Sequence, residues 1–299
     1  MLRRSIVLAA ALGAVSLALA AGPSSAASNA FPITIHAANG DVAIKARPTR
    51  VVSLSPTATE DLFAVGAGSQ VVAVDDQSDY PKRAPRTKLS GYTPNAEAIV
   101  SYNPDLVIVS NDGGIVSSLQ KLGVTVLLEP AAENVAQAYE EIRQIGAATG
   151  HPDAATKLVR SMQAKLTSLI RSVPKRSRHL KVYHELDPTY YSATSSTFMG
   201  RIYRLFGFRD IADAADSTHS GYPQLSAEYI VSANPDIVVL ADSICCGQSA
   251  ATVASRPGWG GISAVKQKRV IAIDDSVASR WGPRIVAFAR AVAAAARRS

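Results

Sequence analysis

One phrase occurs twice in this chain. Residues 95–109 read NAEAIVSYNPDLVIV, and residues 226–239 read SAEYIVSANPDIVV. Each copy begins with a residue that favours a helix N-cap, and its short helical stretch stops at an Asn-Pro step because the residue before proline avoids helical geometry. The β-branched apolar run that follows is typical of a strand buried in a parallel sheet. A helix, a turn and a buried strand that recur far apart in the chain predict two similar α/β lobes.

Further apolar runs alternate with helical segments in both halves. The predicted strands are RVVSL from Arg50, VVAVDD at 71–76, VTVLLE at 124–129, KVYHEL at 181–186, DIVVL at 236–240 and RVIAIDD at 269–275. Strands that alternate with helices form parallel sheets joined by right-handed crossovers. The sequence therefore predicts an α/β fold with mostly parallel sheets flanked by helices.

The middle of the chain has helical periodicity without strand patterns. Residues 132–150 predict one amphipathic helix that ends at Gly150, and a second helix runs from Pro152 to about residue 173. About 21 residues at 1.5 Å each make a rod of roughly 30 Å, so we expect a single long rigid helix to join the lobes. The expected divisions are a signal peptide at 1–27, an N-terminal extension at 28–49, an N-terminal lobe at 50–130, a helical connector at 131–174 and a C-terminal lobe at 175–299.

The N-terminus has the pattern of a secretory signal peptide. Arg3 and Arg4 precede an apolar run at 5–21, and small residues end at Ser25-Ala26-Ala27. An uncleaved membrane anchor is the alternative, but the small-residue site favours cleavage. No cysteine lies near the cleavage point. We therefore expect an exported protein, in the periplasm or at the cell surface or outside the cell, with no lipid anchor.

Composition and motifs give no positive sign of catalysis. The chain has 31 Lys and Arg against 24 Asp and Glu, but these cations are scattered and not interleaved with aromatic residues, so nucleic acid is not expected as a partner. The hydrolase, zinc-protease and nucleotide-binding motifs are missing, and the histidines are too widely spaced for a zinc site. We predict no catalytic residues, no metal held by the protein and no cofactor. A secreted hydrolase that uses Ser195 or His184 is the alternative of another class.

The loops that follow the predicted strands supply the candidate binding residues, because ligands of open α/β sheets bind at the carboxyl ends of strands. The candidates are Ser55, Pro56, Thr57, Gln77, Tyr80, Tyr92, Asp187, Tyr190, Tyr191, Cys245, Cys246, Arg280 and Trp281. The adjacent cysteines form either two free thiols or, in an oxidising compartment, a disulfide whose flat face could line an apolar ligand surface.

Four motifs together resemble those of a known family. They are RVVSLSPTATE at 50–60, DYP at 79–81, NAEAIVSYNPDLVI at 95–108 and SRWGPR at 279–284. With the signal peptide and the helical connector, the chain resembles the substrate-binding proteins of iron-siderophore and cobalamin ABC importers, the group with a rigid helical backbone. The resemblance covers about residues 50–292. It implies a monomeric two-lobed binder that closes little around its ligand and delivers it to a membrane permease.

The resemblance also implies where the permease and the ligand bind. Members of the family dock through a carboxylate on each lobe, which assigns this role to Glu97. The second position falls near Ser279, and Glu228 is the nearest carboxylate related by the repeat. Cobalamin binders sandwich the corrin between aromatic residues, where this chain has Gln77, Val277 and Ala278, with Tyr92 and Trp281 nearby.

The side chains of Arg280, Tyr92, Tyr190 and Tyr191 suit an anionic or catecholate-like iron chelate, through charge-assisted hydrogen bonds and stacking. The predicted ligand is therefore a ferric siderophore or a similar metal chelate. Cobalamin and haem are the alternatives within the same class.

Overall fold

The structure, a computed structural model, describes residues 31–298. Its N-terminal lobe contains a five-stranded parallel sheet in the order β5-β4-β3-β6-β7. The strands are β3 (Val51–Leu54), β4 (Val71–Asp75), β5 (Arg86–Leu89), β6 (Leu106–Val109) and β7 (Val126–Leu128). The helices between them are α1 (Pro56–Ala64), α2 (Ala96–Val100) and α3 (Ile115–Lys121). The predicted parallel sheet is confirmed, although the polar strand β5 was not foreseen.

An antiparallel hairpin precedes this sheet. It consists of β1 (Ile33–Ala37) and β2 (Gly40–Ile44). The backbone N–H of Ala38 donates to the carbonyl of Leu128 at 3.3 Å, and the side chain of Asn39 donates to the carbonyl of Val126 at 2.9 Å. These bonds attach the hairpin to β7, so the segment before the first sheet is packed onto the N-terminal lobe.

The C-terminal lobe contains a four-stranded parallel sheet in the order β11-β10-β8-β9. The strands are β8 (Lys181–Glu185), β9 (Arg209–Asp210), β10 (Ile237–Leu240) and β11 (Val270–Ala272). The helices of this half are α6 (Phe198–Leu205), α7 (Ala227–Ala233), α8 (Ala250–Ser255), α9 (Ser263–Lys266), α10 (Asp275–Ser279) and α11 (Ile285–Arg297).

The repeated phrase forms the same unit in both lobes. Asn95 caps α2 by accepting a hydrogen bond from the backbone of Ala98, and Ser226 caps α7 by accepting one from Tyr229. The strands that follow, β6 and β10, are interior strands and are buried along their whole length. Burial on both faces explains why each phrase ends in an unbroken apolar run. The predicted duplication is confirmed.

Two helices lie between the two sheets along the chain, α4 (Val135–Ala148) and α5 (Pro152–Ser172). Helix α4 packs on α1 of the N-terminal lobe, so α5 is the single long helix that joins the lobes. Helix α5 is one continuous helix of 21 residues that buries a single face and packs against α4 and α11. A Cβ atom on Gly146 of α4 would lie 2.3 Å from that of Ala155, so a glycine is needed where the two helices approach. This close packing fixes the angle between α4 and the long helix, as a rigid connector requires.

None of the helices within residues 31–298 is both long and apolar enough to cross a bilayer. The predicted signal peptide lies outside the described residues.

Candidate ligand-binding site

The main cavity lies between the two lobes. It has a volume of about 430 Å³ and is bordered by the loop after β7, the loop after β8, the start of α6, and the end of α10 with the residues that follow it. Its apolar and aromatic wall includes Leu186, Phe198, Met199, Tyr222, Ala278 and Trp281. Such a cavity, with a few polar groups at its edge, is typical of a small-molecule site.

A second cavity of about 430 Å³ opens on the N-terminal lobe, at the carboxyl ends of its strands. Pro56, Gln77 and Tyr92 line it. The Tyr92 side chain is 87% exposed, which is unusual for a large aromatic residue without a partner. A Cβ atom on the preceding residue, Gly91, would lie 2.7 Å from the carbonyl oxygen of Leu54, so this glycine lets the Tyr92 loop lie close against the end of β3.

Three charged residues from distant parts of the chain form what we call the interlobe clasp: Glu60, Arg280 and Arg284. Glu60 on α1 is only 3% exposed and accepts hydrogen bonds from Arg280 at 3.0 Å and from Arg284 at 2.8 and 2.5 Å. Arg280 also contacts the carboxylate of Asp79 at 2.8 Å and donates to the carbonyl of Gln77 at 2.9 Å. The two positive charges of Arg280 and Arg284 are therefore balanced by the two carboxylates of Glu60 and Asp79.

A neighbouring contact joins the same segments. The indole N–H of Trp281 donates to a carboxylate oxygen of Glu141 on α4 at 2.7 Å. Burial raises the pKa of Glu141 to about 7, although the Trp281 hydrogen bond acts to lower it. Burial also raises the pKa of Glu129 to about 8, and repulsion from Glu141 and Glu140 adds to this effect. Both carboxyls line a separate hollow of about 400 Å³ beside the β1–β2 hairpin, and near neutral pH this hollow is therefore less negative than its composition indicates.

Three predicted residues of the N-terminal lobe, Ser55, Thr57 and Tyr80, do not line either large cavity. Ser55 and Thr57 are buried, and the Ser55 hydroxyl accepts from the backbone of Ala58, so Ser55 acts as the N-cap of α1. Tyr80 is 46% exposed and packs under the guanidinium of Arg284, at 4.4 Å from the ring centre to the arginine carbon. It borders a hollow beside the interlobe clasp and does not line either large cavity.

The predicted residues after β8 mostly have contacts within their own lobe. The Asp187 carboxylate accepts from the backbone and the hydroxyl of Thr189 at 2.7 and 2.6 Å. Tyr190 stacks on Trp259 with ring centres 5.8 Å apart, and the guanidinium of Arg256 lies 5.4 Å from the Tyr190 ring centre. Tyr191 is 42% exposed. Of these residues, only Tyr191 offers a largely open side chain.

Cys245 and Cys246 form a disulfide in the loop after β10, which decides between the two states that the sequence left open. Both residues are exposed, and Ile244 beside them is 73% exposed. The loop therefore presents an apolar surface at the carboxyl edge of the C-terminal sheet.

His184 and Ser195, the residues of the hydrolase alternative, do not form a catalytic pair. The imidazole of His184 shares a hydrogen bond with the Tyr203 hydroxyl at 2.6 Å, and burial lowers the pKa of His184 to about 4. Ser195 borders a different hollow, where its backbone N–H donates to Asp213 at 2.8 Å. His184 is thus a neutral, buried residue behind the main cavity.

Several residues of the main cavity were not foreseen. Phe198 and Met199 begin α6, and Tyr222 lies in a long segment between β9 and α7, so none of them follows directly on a predicted strand. Residues at these positions carry no signal in the sequence that marks them as part of a cavity. Within residues 31–298, no cluster of three or more His, Cys, Asp or Glu side chains is arranged to hold a metal ion.

Comparison with known proteins agrees with this architecture. The periplasmic binding protein family matches residues 51–277. An ABC transporter substrate-binding lipoprotein of Bacillus subtilis (strain 168) is 35% identical over 267 residues, covering 86% of this chain and 82% of the relative. A cobalamin-binding protein of Halobacterium salinarum is 33% identical over 267 residues, covering 86% of this chain and 72% of the relative.

A solved structure described as a possible iron-binding (periplasmic solute-binding) protein from Staphylococcus epidermidis has a TM-score of 0.69 and 26% identity, covering 84% of this chain and 99% of that one. One expectation is wrong: we predicted no lipid anchor, whereas the Bacillus subtilis relative is named a lipoprotein. The family match, the two-lobed fold and the cavity between the lobes agree with the family that the four sequence motifs resemble. The chain belongs to the periplasmic binding protein family and is the substrate-binding component of an ABC importer.

Proposed function

We propose that this protein captures a corrinoid of the cobalamin class between its lobes and delivers it to its permease. The interlobe clasp is the observation that supports a corrinoid over a ferric siderophore. Arg280, which would attract an anionic siderophore, is paired with Glu60 and Asp79. The main cavity has Arg201 and Glu133 at its edge, whose formal charges cancel, and an otherwise mostly apolar wall. This environment favours a chelate with large apolar faces over a multiply charged ferric catecholate.

The metal of such a ligand is held by the ligand itself. A cavity without a cluster of metal-binding side chains within the described residues suits a preformed chelate better than a free ion. Aromatic side chains such as Tyr92 and Trp281 can pack on the faces of a macrocycle. The name of the Halobacterium salinarum relative supports the same ligand class.

Two exposed carboxylates support a docking role at the permease. Glu97 and Glu228 are both exposed, and each is the second residue of its helix, directly after the capped N-terminus of α2 or α7. Ser279 is instead a hydroxyl bonded to the backbone of Asp275. The docking pair that we propose is therefore Glu97 and Glu228, which would pair with cations of the permease, one from each lobe.

We further propose that the protein acts as a monomer at the membrane surface, without catalytic activity and without nucleic acid. The lipoprotein name of the Bacillus subtilis relative supports this location.

The ligand assignment is tested by isothermal titration of the purified mature protein with cyanocobalamin, haemin and a ferric tris-catecholate. We expect cyanocobalamin to bind with one site per chain and a Kd of about 1 μM or lower, and the ferric complex to bind far more weakly. Tight binding of the ferric complex without binding of cyanocobalamin would contradict the proposal. For docking, Glu97→Lys with Glu228→Lys should abolish cyanocobalamin uptake by cells while leaving the Kd unchanged.

A further inference from the structure

The loop after β10 presents an unusual apolar surface to solvent. Ile244 is 73% exposed, and the neighbouring Cys245 and Cys246 are exposed and joined by a disulfide. Isolated exposed apolar residues are common, but here a large aliphatic side chain and a disulfide are exposed at adjacent positions of one loop. We call these three residues the disulfide loop.

The disulfide loop leaves the C-terminal sheet at the edge that carries the main cavity, although its three residues are not among those that line the cavity. Strand β10 lies between β8 and β11 in a parallel sheet, so the loops after all three strands leave the same edge. Leu186, directly after β8, and Ala278, in the helix that follows β11, both line the main cavity. The disulfide loop therefore leaves the sheet between two segments that form the cavity wall.

The backbone of the loop is held in place before any ligand arrives. The carboxylate of Asp275 accepts hydrogen bonds from the backbone N–H of Ile244 at 3.0 Å and of Cys245 at 2.7 Å. The backbone N–H of Cys246 donates to the carbonyl of Asp242 at 3.2 Å. Asp275 is the first residue of α10, which also carries Ala278 of the cavity wall. One helix thus positions both the loop and the wall.

We propose that the disulfide loop is a preformed apolar contact for the ligand, in which Ile244 and the disulfide pack on the alkyl-substituted rim of the bound corrinoid. Asp275 acts as a positioning residue, because it fixes the loop without touching the ligand. This proposal rests on the proposed function. A rigid contact of this kind increases affinity because little conformational freedom is lost on binding, and sulfur and aliphatic carbon both favour an apolar partner over water.

The chain offers a matched control. Leu122 is also a large exposed aliphatic residue, at 54%, but it lies between α3 and β7, at the amino-terminal edge of the other sheet. An alanine substitution removes the same type of side chain there, far from the strand ends that form the cleft. Leu122→Ala should therefore leave ligand affinity unchanged.

The test is titration of the full mature protein with cyanocobalamin, with each variant first shown to unfold at the wild-type urea midpoint. Removing three side-chain carbons by Ile244→Ala should weaken binding about tenfold, as expected from the apolar area lost. Cys245→Ser with Cys246→Ser should raise the Kd about threefold, and wild-type protein reduced with a phosphine should match that variant. Asp275→Ala should also weaken binding, but not when Ile244 is already alanine, because its effect passes through the loop.

The possible results separate the two proposals. If the wild type binds cyanocobalamin and Ile244→Ala binds equally well, the loop proposal is overturned and the proposed function stands. If the wild type does not bind cyanocobalamin, both are overturned. If Ile244→Ala keeps its affinity but abolishes uptake by cells, the loop belongs to the permease interface, which also overturns a ligand contact.

Discussion

Each lobe buries one glutamate against arginine, and the two pairs differ in what they join. In the C-terminal lobe, both oxygens of Glu185 accept hydrogen bonds from Arg256 at 2.6 Å, and Arg256 stacks on Trp259 at 4.6 Å. All three residues belong to the same lobe. In the N-terminal lobe, Glu60 binds Arg280 and Arg284, which lie more than two hundred residues further along the chain.

The two pairs therefore stabilise different parts of the molecule. Breaking the Glu185–Arg256 pair leaves a buried charge inside one lobe and so destabilises that lobe directly. Breaking the interlobe clasp frees the segment that carries Trp281, a wall residue of the main cavity. The first pair should therefore govern folding, and the second should govern the shape of the cleft.

The largest effect is expected for Arg256→Ala. Glu185 is fully buried, and removing its partner should lower the free energy of unfolding by about 3–5 kcal/mol, measured by urea denaturation at pH 7. Arg204→Ala, at an exposed position on α6, is the control and should change stability by less than about 0.5 kcal/mol. A loss below about 1 kcal/mol for Arg256→Ala would remove the distinction between the two pairs.

Glu60→Gln should lower stability by a smaller amount, about 2 kcal/mol, because Arg280 keeps Asp79 as a partner. Its main effect should be on the cleft, seen as a cyanocobalamin Kd raised about tenfold or more. Glu97→Gln is the exposed control and should alter neither quantity. If Glu60→Gln destabilises the protein strongly but binds the ligand normally, the clasp serves folding alone.

The buried carboxyl of Glu129 should make the folded protein less stable as the pH rises. The pKa of Glu129 is raised by burial from the usual 4.5 to about 8, so its contribution to stability is fully present below pH 4.5 and is lost as the pH rises through 8. Between pH 6 and pH 8 the free energy of unfolding of the wild type should fall by about 2 kcal/mol relative to Glu129→Gln. Parallel pH profiles for the two proteins would show that Glu129 is ionised in the folded state.

The smallest effect on stability is expected for Trp281→Phe, which removes the hydrogen bond to Glu141 and should cost about 1 kcal/mol or less. Trp259 is fully buried in the C-terminal core, so Trp281 should account for most of the fluorescence change on ligand binding. Unchanged quenching in Trp281→Phe would place the ligand away from this wall.

The fold could be predicted from the sequence wherever the pattern is local. The two copies of the phrase predicted α2 with β6 and α7 with β10, and helical periodicity predicted α5 to within a residue of its end. Strand β5 was not predicted because its sequence, RTKL, is polar and half exposed and so lacks the apolar run that marks a buried strand.

The candidate site could be predicted only in part. Tyr92, Gln77 and Trp281 were predicted because they follow strands or lie in a motif, and each of them lines one of the two cavities, although their role as ligand contacts stays a prediction. The pairing of Arg280 with Glu60 could not be found, because residues so far apart in sequence meet only through the fold. That pairing supports the proposed neutral chelate over the anionic chelate that the sequence predicts.

A crystal structure of the mature protein with cyanocobalamin tests the central claim most directly, namely that one ligand is held between two clasped lobes. The expected structure has the corrin ring in contact with Trp281 and with Tyr92, and Glu60 still paired with both arginines. A ligand that contacts one lobe alone, or a clasp that opens when the ligand binds, would contradict this account.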